Sequence, residues 1–395
     1  MSLEYQKNQL YLIQEKQKHN LLSLARKTGT PFYLYDLIGL IERLRVFKKH
    51  TAPAHLHYAM KANSHPEILK TFCKEGVGVD VVSGGEIQLA LKAGFKGRDI
   101  VFSGVGKTKE EMELALSKDI LQFNVESPSE LKKLAEIATS LGKRASIAFR
   151  MNPDIDVSTH PYIKTGLREH KFGMELEQLS GLKEILKQYP SQLKLQGLTL
   201  HMGSQIHDLK PLKAGILKIK NLYKEMQEEF DLKTFDVGGG LGMDYRSQDR
   251  DQDLKLIKEY GFFLKELSKS VKAQILTEPG RIITARFACL IGEVQYIKSS
   301  SYKNFAIINT GMHHLIRPCL YQAYHHIVQL EKKPGSGRAY DVVGPICESS
   351  DVLGKDRVFS GLEEGDFLAI LDTGAYGSVM INNYNAQKPP KELVI

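Results

Sequence analysis

Short apolar runs rich in β-branched residues recur between amphipathic stretches from about residue 55 to residue 280. The runs are Leu56-Met60, Val79-Val82, Ile100-Ser103, Leu121-Val125, Ala145-Met151, Gln196-His201, Thr234-Val237 and Gln274-Glu278. Short, mostly apolar runs of this kind suit strands covered on both faces. Between them lie the amphipathic stretches Pro66-Glu75, Glu86-Ala93, Lys109-Leu116, Ser129-Leu141, Glu175-Gln188, Leu212-Glu229 and Leu254-Ser268. Strands alternating with helices predict a parallel sheet, and eight such strands predict a closed (β/α)8 barrel.

Past Arg281 the pattern changes. Cys289-Ile297, Phe305-Asn309, Tyr340-Val343 and Phe367-Leu371 read as strands punctuated by Gly, Pro and Asn, with no long helical pattern beyond Ile327. A separate all-β domain is expected there, joined by the N-terminal stretch Leu10-Ile13. The expected organisation is a barrel over 35–284, with 1–34 and 285–395 forming the β domain. A barrel inserted into a domain that holds both chain ends agrees with the tendency of termini to lie close together.

Composition narrows the class. With 395 residues, 42% hydrophobic and 25% charged, the chain matches an ordinary globular protein. No stretch approaches the roughly 18 apolar residues of a membrane span, and Met1 to Asn20 is too polar for a secretory signal. A cytoplasmic protein is expected. The net charge of +8 is spread along the chain without basic runs interleaved with aromatics, so nucleic acid is not an expected partner. The diffuse positive field suits an anionic substrate or cofactor. Cys73, Cys289, Cys319 and Cys347 lie far apart, which points to free thiols and no zinc or other metal site.

Barrel enzymes build their sites at the C-terminal ends of the strands. Those positions hold Lys61 after the first run, Asp80 and Ser83 at the second, and Arg150 at the fifth. The sixth ends in His201-Met202-Gly203-Ser204-Gln205, the seventh in Gly238-Gly239-Gly240, and the eighth in Glu278-Pro279-Gly280-Arg281. An amine at a buried strand end favours its neutral form, a nucleophile toward aldehydes. Three successive glycines bare backbone N–H groups for an anion, at the loops where barrels commonly hold phosphate. An isolated triplet reads as a flexible turn; beside Glu-Pro-Gly-Arg the phosphate reading prevails, and Ser204 can add its hydroxyl. A lysine for an aldehyde, a cradle for a phosphate and a carboxylate for a ring nitrogen are the needs of pyridoxal 5'-phosphate (PLP). Glu278 supplies the carboxylate, His201 can lie against the ring, and Asp80 can orient Lys61.

Further motifs support a family resemblance: Thr30-Pro31-Phe32-Tyr33-Leu34-Tyr35, Tyr58-Ala59-Met60-Lys61-Ala62-Asn63, Lys171-Phe172-Gly173, Leu315-Ile316-Arg317-Pro318 with Tyr321, and Cys347-Glu348-Ser349-Ser350-Asp351. With these the chain resembles, over nearly its whole length, the fold-type III PLP-dependent decarboxylases, and within them the branch acting on meso-diaminopimelate. The resemblance implies that Lys61 carries the cofactor and His201 stacks on it. It implies that Ser204, Gly240, Gly280 and Tyr376 hold the phosphate, with Gly239 also among the cofactor-binding residues. Arg281, Arg317 and Tyr321 would grip the distal carboxylate of the substrate, Tyr376 would contact the substrate too, and Glu348 would lie near the distal ammonium. Cys347 would return the proton after carbon dioxide leaves, giving L-lysine. A head-to-tail homodimer with shared active sites is implied as well.

Two features depart from the family pattern: His313-His314 stands where Asn-Asp is usual, and Leu167-Arg168-Glu169-His170 is atypical. The competing expectations are a relative acting on ornithine, arginine, carboxynorspermidine or a carrier-linked amino acid, an amino-acid racemase, or an inactive regulatory homologue. Retention of Arg317 and Glu348 disfavours the first, Glu278 the second, and Lys61 with Cys347 the third.

Overall fold

A computed structural model describes residues 1–15, 17–156, 171–247 and 249–395. Leu167-Arg168-Glu169-His170 lies outside the described residues. The chain divides into two compact units: Arg45–Met243 with Arg250–Gly280, and Met1–Leu44 with Asp244–Asp249 and Arg281–Ile395. Among the described residues no helix is long and apolar enough to cross a membrane.

The first unit is a closed eight-stranded parallel barrel. Its strands are β1 (His55–Ala59), β2 (Gly78–Val81), β3 (Ile100–Phe102), β4 (Gln122–Val125), β5 (Ala145–Arg150), β6 (Leu193–Thr199), β7 (Thr234–Asp236) and β8 (Gln274–Thr277). Closure is the pairing of Leu276 with His55 and Thr277 with Leu56. The helices between strands form for local reasons. Pro128–Ser140 starts with Pro at its first turn and a Ser127 side chain accepting from the Glu130 N–H. It buries Leu131, Leu134, Ala135 and Ala138, one helical stripe, each leucine contributing about 1.5–3 kcal/mol of burial.

Two details differ from the sequence reading. β6 begins at Leu193 rather than Gln196, because the register slips between Leu195 and Gly197 and leaves Gln196 as a bulge. Bulges re-aim a side chain, and here it is Gln196 that is turned. The barrel interior is also more polar than the branched apolar layers usual in this fold. Thr234 Oγ1 meets Gln122 Oε1 at 2.8 Å. That contact joins β7 to β4, which are not neighbours in the sheet, so it passes through the interior. Asp80, Gln122, Asn124, Gln196, Thr234, Asp236 and Glu278 are all buried.

The second unit is β-rich. Leu3–Gln6, Gln9–Gln14 and Gln17–Asn20 form an antiparallel sheet. A longer path runs Ile327–Gln329, Phe367–Leu371, Ala288–Ser299, Asn304–Ile308, Gly337–Val343 and Val352–Ser360. Phe32–Tyr35 adds to Ala288–Ser299, and Lys391–Val394 adds to Phe32–Tyr35. In the N-terminal stretch, Leu10 and Leu12 enter a core with Leu22, Phe32, Leu34, Ile291, Leu330 and Ala369. Val352–Ser360 was not expected as a strand, since its run Lys355-Asp356-Arg357 hides the alternation.

His57 tests the polar interior. Burial pushes its imidazole down to about 4, against the opposing pull of Asp80 and Asp99. A histidine that stays neutral in the fold stabilises it fully above the unfolded value of about 6.5. That contribution fades as pH falls from 6.5 toward 4, by on the order of 3 kcal/mol at most. Urea unfolding free energies should therefore decline over this interval, and the decline should be shallower in His57→Asn. Equal slopes would show that the side chain is not held neutral.

Candidate active site

Lys61 lies on the 3-10 turn Met60–Ala62 that ends β1. The turn is fastened by Tyr58, whose hydroxyl donates to the Asn63 carbonyl at 2.9 Å. Lys61 Nζ stands 3.3 Å from Asp80 Oδ2; the lysine is about a third exposed (34%) and the aspartate fully buried. Among the described residues, Asp80 Oδ1 has no hydrogen-bond partner. Asp80 therefore belongs to β2 itself and is not a solvated loop carboxylate.

Glu278, just past β8, is buried with Asp236 of β7 in hydrogen-bonding contact. Two carboxyl groups can meet this way only by sharing a proton. Burial, then Asp236 and Asp80, push Glu278 well above the usual carboxylate range, while Lys61 pulls it down. Burial likewise raises Asp236 to about 6, opposed by its hydrogen bond from the Gly238 N–H at 2.9 Å. The pair titrates as one unit. Asn124 Nδ2 approaches Glu278 Oε1 at 3.5 Å from the other side.

His201 accepts the Gly239 N–H at Nδ1, 3.3 Å away. Burial, followed by the charges of Lys61 and Arg150, holds its imidazole well below the ordinary value. The ring is thus neutral, with its proton on Nε2. The glycine loop is closed to side chains: a Cβ on Gly239 would lie 2.1 Å from the Glu278 carbonyl oxygen. Gly240 has φ +108°, a conformation suited to glycine. Its carbonyl accepts the Ile206 N–H at 2.9 Å, which ties this loop to the one carrying Ser204. Gly280 packs where a Cβ would come 2.9 Å from that of Ala62. Lys61, Asp80, His201, Ser204, Gly239, Gly240, Glu278 and Gly280 thus share the C-terminal rim of one barrel.

The β-rich unit carries a second cluster. Arg281 and Arg317 are both buried. Arg281 Nη1 donates to Tyr245 Oη at 3.0 Å and its guanidinium lies 4.7 Å from the Tyr376 ring centre. Arg317 lies 4.2 Å from the Tyr245 ring centre and donates to His325 Nε2 at 2.7 Å. His325 Nδ1 faces the Leu371 carbonyl at 2.7 Å, so the proton sits on Nδ1 and Nε2 is the acceptor. Burial and then Arg317 keep this imidazole neutral. Tyr321 is close enough to act on both arginines. Among the described residues, Arg317 Nε has no hydrogen-bond partner. Burial lowers the Arg317 guanidinium, and the positive Arg281 beside it adds to this. Arg317 is therefore no surface ion pair; it and Arg281 are buried cations beside the rings of Tyr245 and Tyr376.

Cys347 and Glu348 occupy an exposed loop. Glu348 accepts the Tyr384 hydroxyl at 2.7 Å, and the Cys347 N–H donates to Asn385 Oδ1 at 3.2 Å. The loop is pinned at its base by Asp351, which accepts from the Met312 and Ile346 N–H groups at 2.6 and 2.8 Å. His313 and His314 are a buried pair with ring centres 3.6 Å apart and planes tilted by 44°. Reasoning from sequence missed Asp236, Asn124, Tyr245 and His325. Asp236 precedes the glycine triplet and could have been read as a strand-end carboxylate. Nothing local marks Tyr245 or His325. No group of three metal-ligating side chains occurs among the described residues.

Comparison with known proteins agrees with this chemistry. Residues 37–285 match the family described as pyridoxal-dependent decarboxylase, pyridoxal binding domain. The chain is 42% identical to a diaminopimelate decarboxylase of Aquifex aeolicus, over all of this chain and 92% of that protein. It is similar to the crystal structure of diaminopimelate decarboxylase from Helicobacter pylori complexed with L-lysine, at 40% identity and a TM-score of 0.89, covering 95% of this chain and 94% of that one. The crystal structure of diaminopimelate decarboxylase from m. jannaschii in co-complex with L-lysine gives 33% identity and the same TM-score of 0.89, over 100% of this chain and 92% of that one.

The crowded glycine gives a structural test. Gly239→Ala forces a methyl against the Glu278 carbonyl and should destabilise the fold by roughly 1–3 kcal/mol, as overpacking does. Gly85→Ala, in a helix where the nearest atom is Ser83 Oγ at 3.7 Å, should be neutral or slightly stabilising. Urea midpoints compare the two; equal midpoints would mean the loop has room to spare.

Proposed function

The chain belongs to the pyridoxal-dependent decarboxylases, and we propose that it converts meso-2,6-diaminopimelate to L-lysine and carbon dioxide. The observation that carries the substrate is the pair of buried arginines, Arg281 and Arg317, set among Tyr245, Tyr376 and a neutral His325. Substrates with a single carboxylate lose it in the reaction and leave such a receptor nothing to bind. Diaminopimelate has a second.

The barrel rim fits PLP on its own residues. Lys61 offers a primary amine, and Gly239 and Gly240 form a cradle that no side chain can fill. Glu278 is a buried acid crowded by Asp236 and Asp80, which a basic ring nitrogen would relieve. When bound, PLP supplies an electron sink for the bond that breaks. Lys61 would hold the aldehyde end, with Asp80 fixing the amine's position. His201, neutral, would lie on the ring face without competing for the phosphate. Ser204, Gly239, Gly240, Gly280 and Tyr376 would hold the phosphate, largely through backbone N–H groups. Glu278 would keep the ring nitrogen protonated, which disfavours racemase chemistry.

Arg281, Arg317 and Tyr321 would grip the distal carboxylate and orient the reacting carbon, with Glu348 receiving the distal ammonium. Cys347 would deliver a proton to the carbon that has lost its carboxylate. The exposure of Cys347 and Glu348 supports a homodimer in which each loop completes the partner's site. Four free thiols suit the cytoplasm.

Carbon dioxide release from meso-, LL- and DD-diaminopimelate, ornithine and arginine tests the reading; release from the meso isomer alone is expected, and comparable release from ornithine or arginine overturns it. Arg317→Ala should raise the Michaelis constant at least about tenfold, equivalent to roughly 1.4 kcal/mol of lost binding. Mixing inactive Lys61→Ala with inactive Cys347→Ala should recover activity that neither has alone. Lack of recovery after exchange of subunits would count against the shared site.

A further inference from the structure

Gln122, Asn124, Gln196 and Thr234 have no part in the chemistry above, yet they are buried polar side chains on barrel strands. They are joined. Gln196 Nε2 donates to the Leu121 carbonyl at 2.8 Å and to Gln122 Oε1 at 3.3 Å. The Thr234 hydroxyl donates to the same Oε1 at 2.8 Å. Gln122 Nε2 donates to Asn124 Oδ1 at 2.8 Å. Asn124 Nδ2 then reaches Ser103 Oγ at 3.0 Å and Glu278 Oε1 at 3.5 Å.

The direction of this chain is fixed at one end. A backbone carbonyl can only accept, so the Gln196 group facing Leu121 must be its NH2. That makes the facing atom of Gln122 its oxygen, turns the NH2 of Gln122 toward Asn124, and leaves Asn124 presenting N–H to Glu278. Rotating any one amide would set two acceptors or two donors face to face in a buried space, which is costly. The bulge at Gln196 turns that side chain where the chain starts. On its opposite side Glu278 meets Asp236, an acid that favours proton sharing. Asn124 also pulls Asp236 toward its charged form.

We propose that Asn124 is a positioning residue: its amide, oriented through Gln122 and Gln196 by the Leu121 carbonyl, holds the Asp236–Glu278 pair as the anion that faces the cofactor's ring nitrogen. This rests on the PLP role given to Glu278 above. The 3.5 Å separation is at the outer edge of a hydrogen bond, and it shortens when the facing group is a carboxylate opposite a protonated ring nitrogen. Gln122 acts one step further back. Without it Asn124 is free to turn its oxygen toward the acids.

The test uses the PLP-loaded protein with Asn124→Leu, Asn124→Asp and Gln122→Leu. Without substrate, the absorbance titration of bound PLP and the NMR shift of its labelled ring nitrogen report whether that nitrogen is protonated. In Asn124→Leu the midpoint for loss of the charged pair should move up by about one pH unit or more, the size expected of one lost hydrogen bond to a buried charge. PLP should bind at least about tenfold more weakly. Gln122→Leu should move the midpoint in the same direction by less, and the Gln122→Leu/Asn124→Leu double variant no further than Asn124→Leu alone. In turnover, kcat should fall while the Michaelis constant stays within about threefold, with the acid limb of the pH profile displaced upward. An unmoved midpoint and nitrogen shift in Asn124→Leu overturn the proposal, even if the protein is less stable. Should Asn124→Leu fail to fold, Gln122→Leu and the isosteric Asn124→Asp decide by the same spectra: a shift supports, none refutes. Wild type that shows the spectral behaviour but releases no carbon dioxide from meso-diaminopimelate refutes the substrate and leaves this proposal standing.

Discussion

Everything at the barrel rim follows from one electrostatic constraint: three carboxyl groups, Asp80, Asp236 and Glu278, share a buried space with a single amine, Lys61. Charges out of water are tolerated only when paired and hydrogen-bonded. The protein meets this with a lysine beside Asp80, a proton between Asp236 and Glu278, the Gly238 N–H on Asp236 Oδ1 and the Asn124 amide near Glu278 Oε1. Among the described residues nothing hydrogen-bonds Asp80 Oδ1. A site in this condition is poised to take up a cationic or basic group, which is the general basis on which perturbed acids mark functional sites.

The β-rich unit buries the opposite charge. Arg281 and Arg317 are buried cations beside phenol rings, and Arg317 also meets His325, whose imidazole burial holds well below its ordinary value. The rings shield the positive charge through their faces without neutralising it.

Much of this was readable in the residues. The eight apolar runs gave the barrel, and the rule that barrel chemistry sits at strand ends picked out Lys61, His201, the glycine loop and Glu278 without any structure. What stayed hidden was hidden for physical reasons. Gln122 and Asn124 interrupt an apolar run with a period of two, and a single chain gives no sign that the interrupted face points inward to other polar groups. Tyr245 and His325 act on Arg281 and Arg317 through tertiary packing alone, and no spacing announces that. The β-rich unit was only half legible, because short strands such as Ile327–Gln329 and Lys391–Val394 lack a pattern long enough to distinguish from loop. The bulge at Gln196 is a property of pairing with β5, invisible in either strand by itself.

The one-way orientation of the buried amides restricts how this barrel can diverge over evolutionary time. A lone exchange of Gln122 for a leucine or of Gln196 for a glutamate strands its neighbours mid-sequence, so each intermediate is less fit than either end. Descendants should change these positions together or not at all, moving between whole sets that each aim a donor at the acid pair. The interior of the barrel would then drift in jumps while its outer helices drift residue by residue.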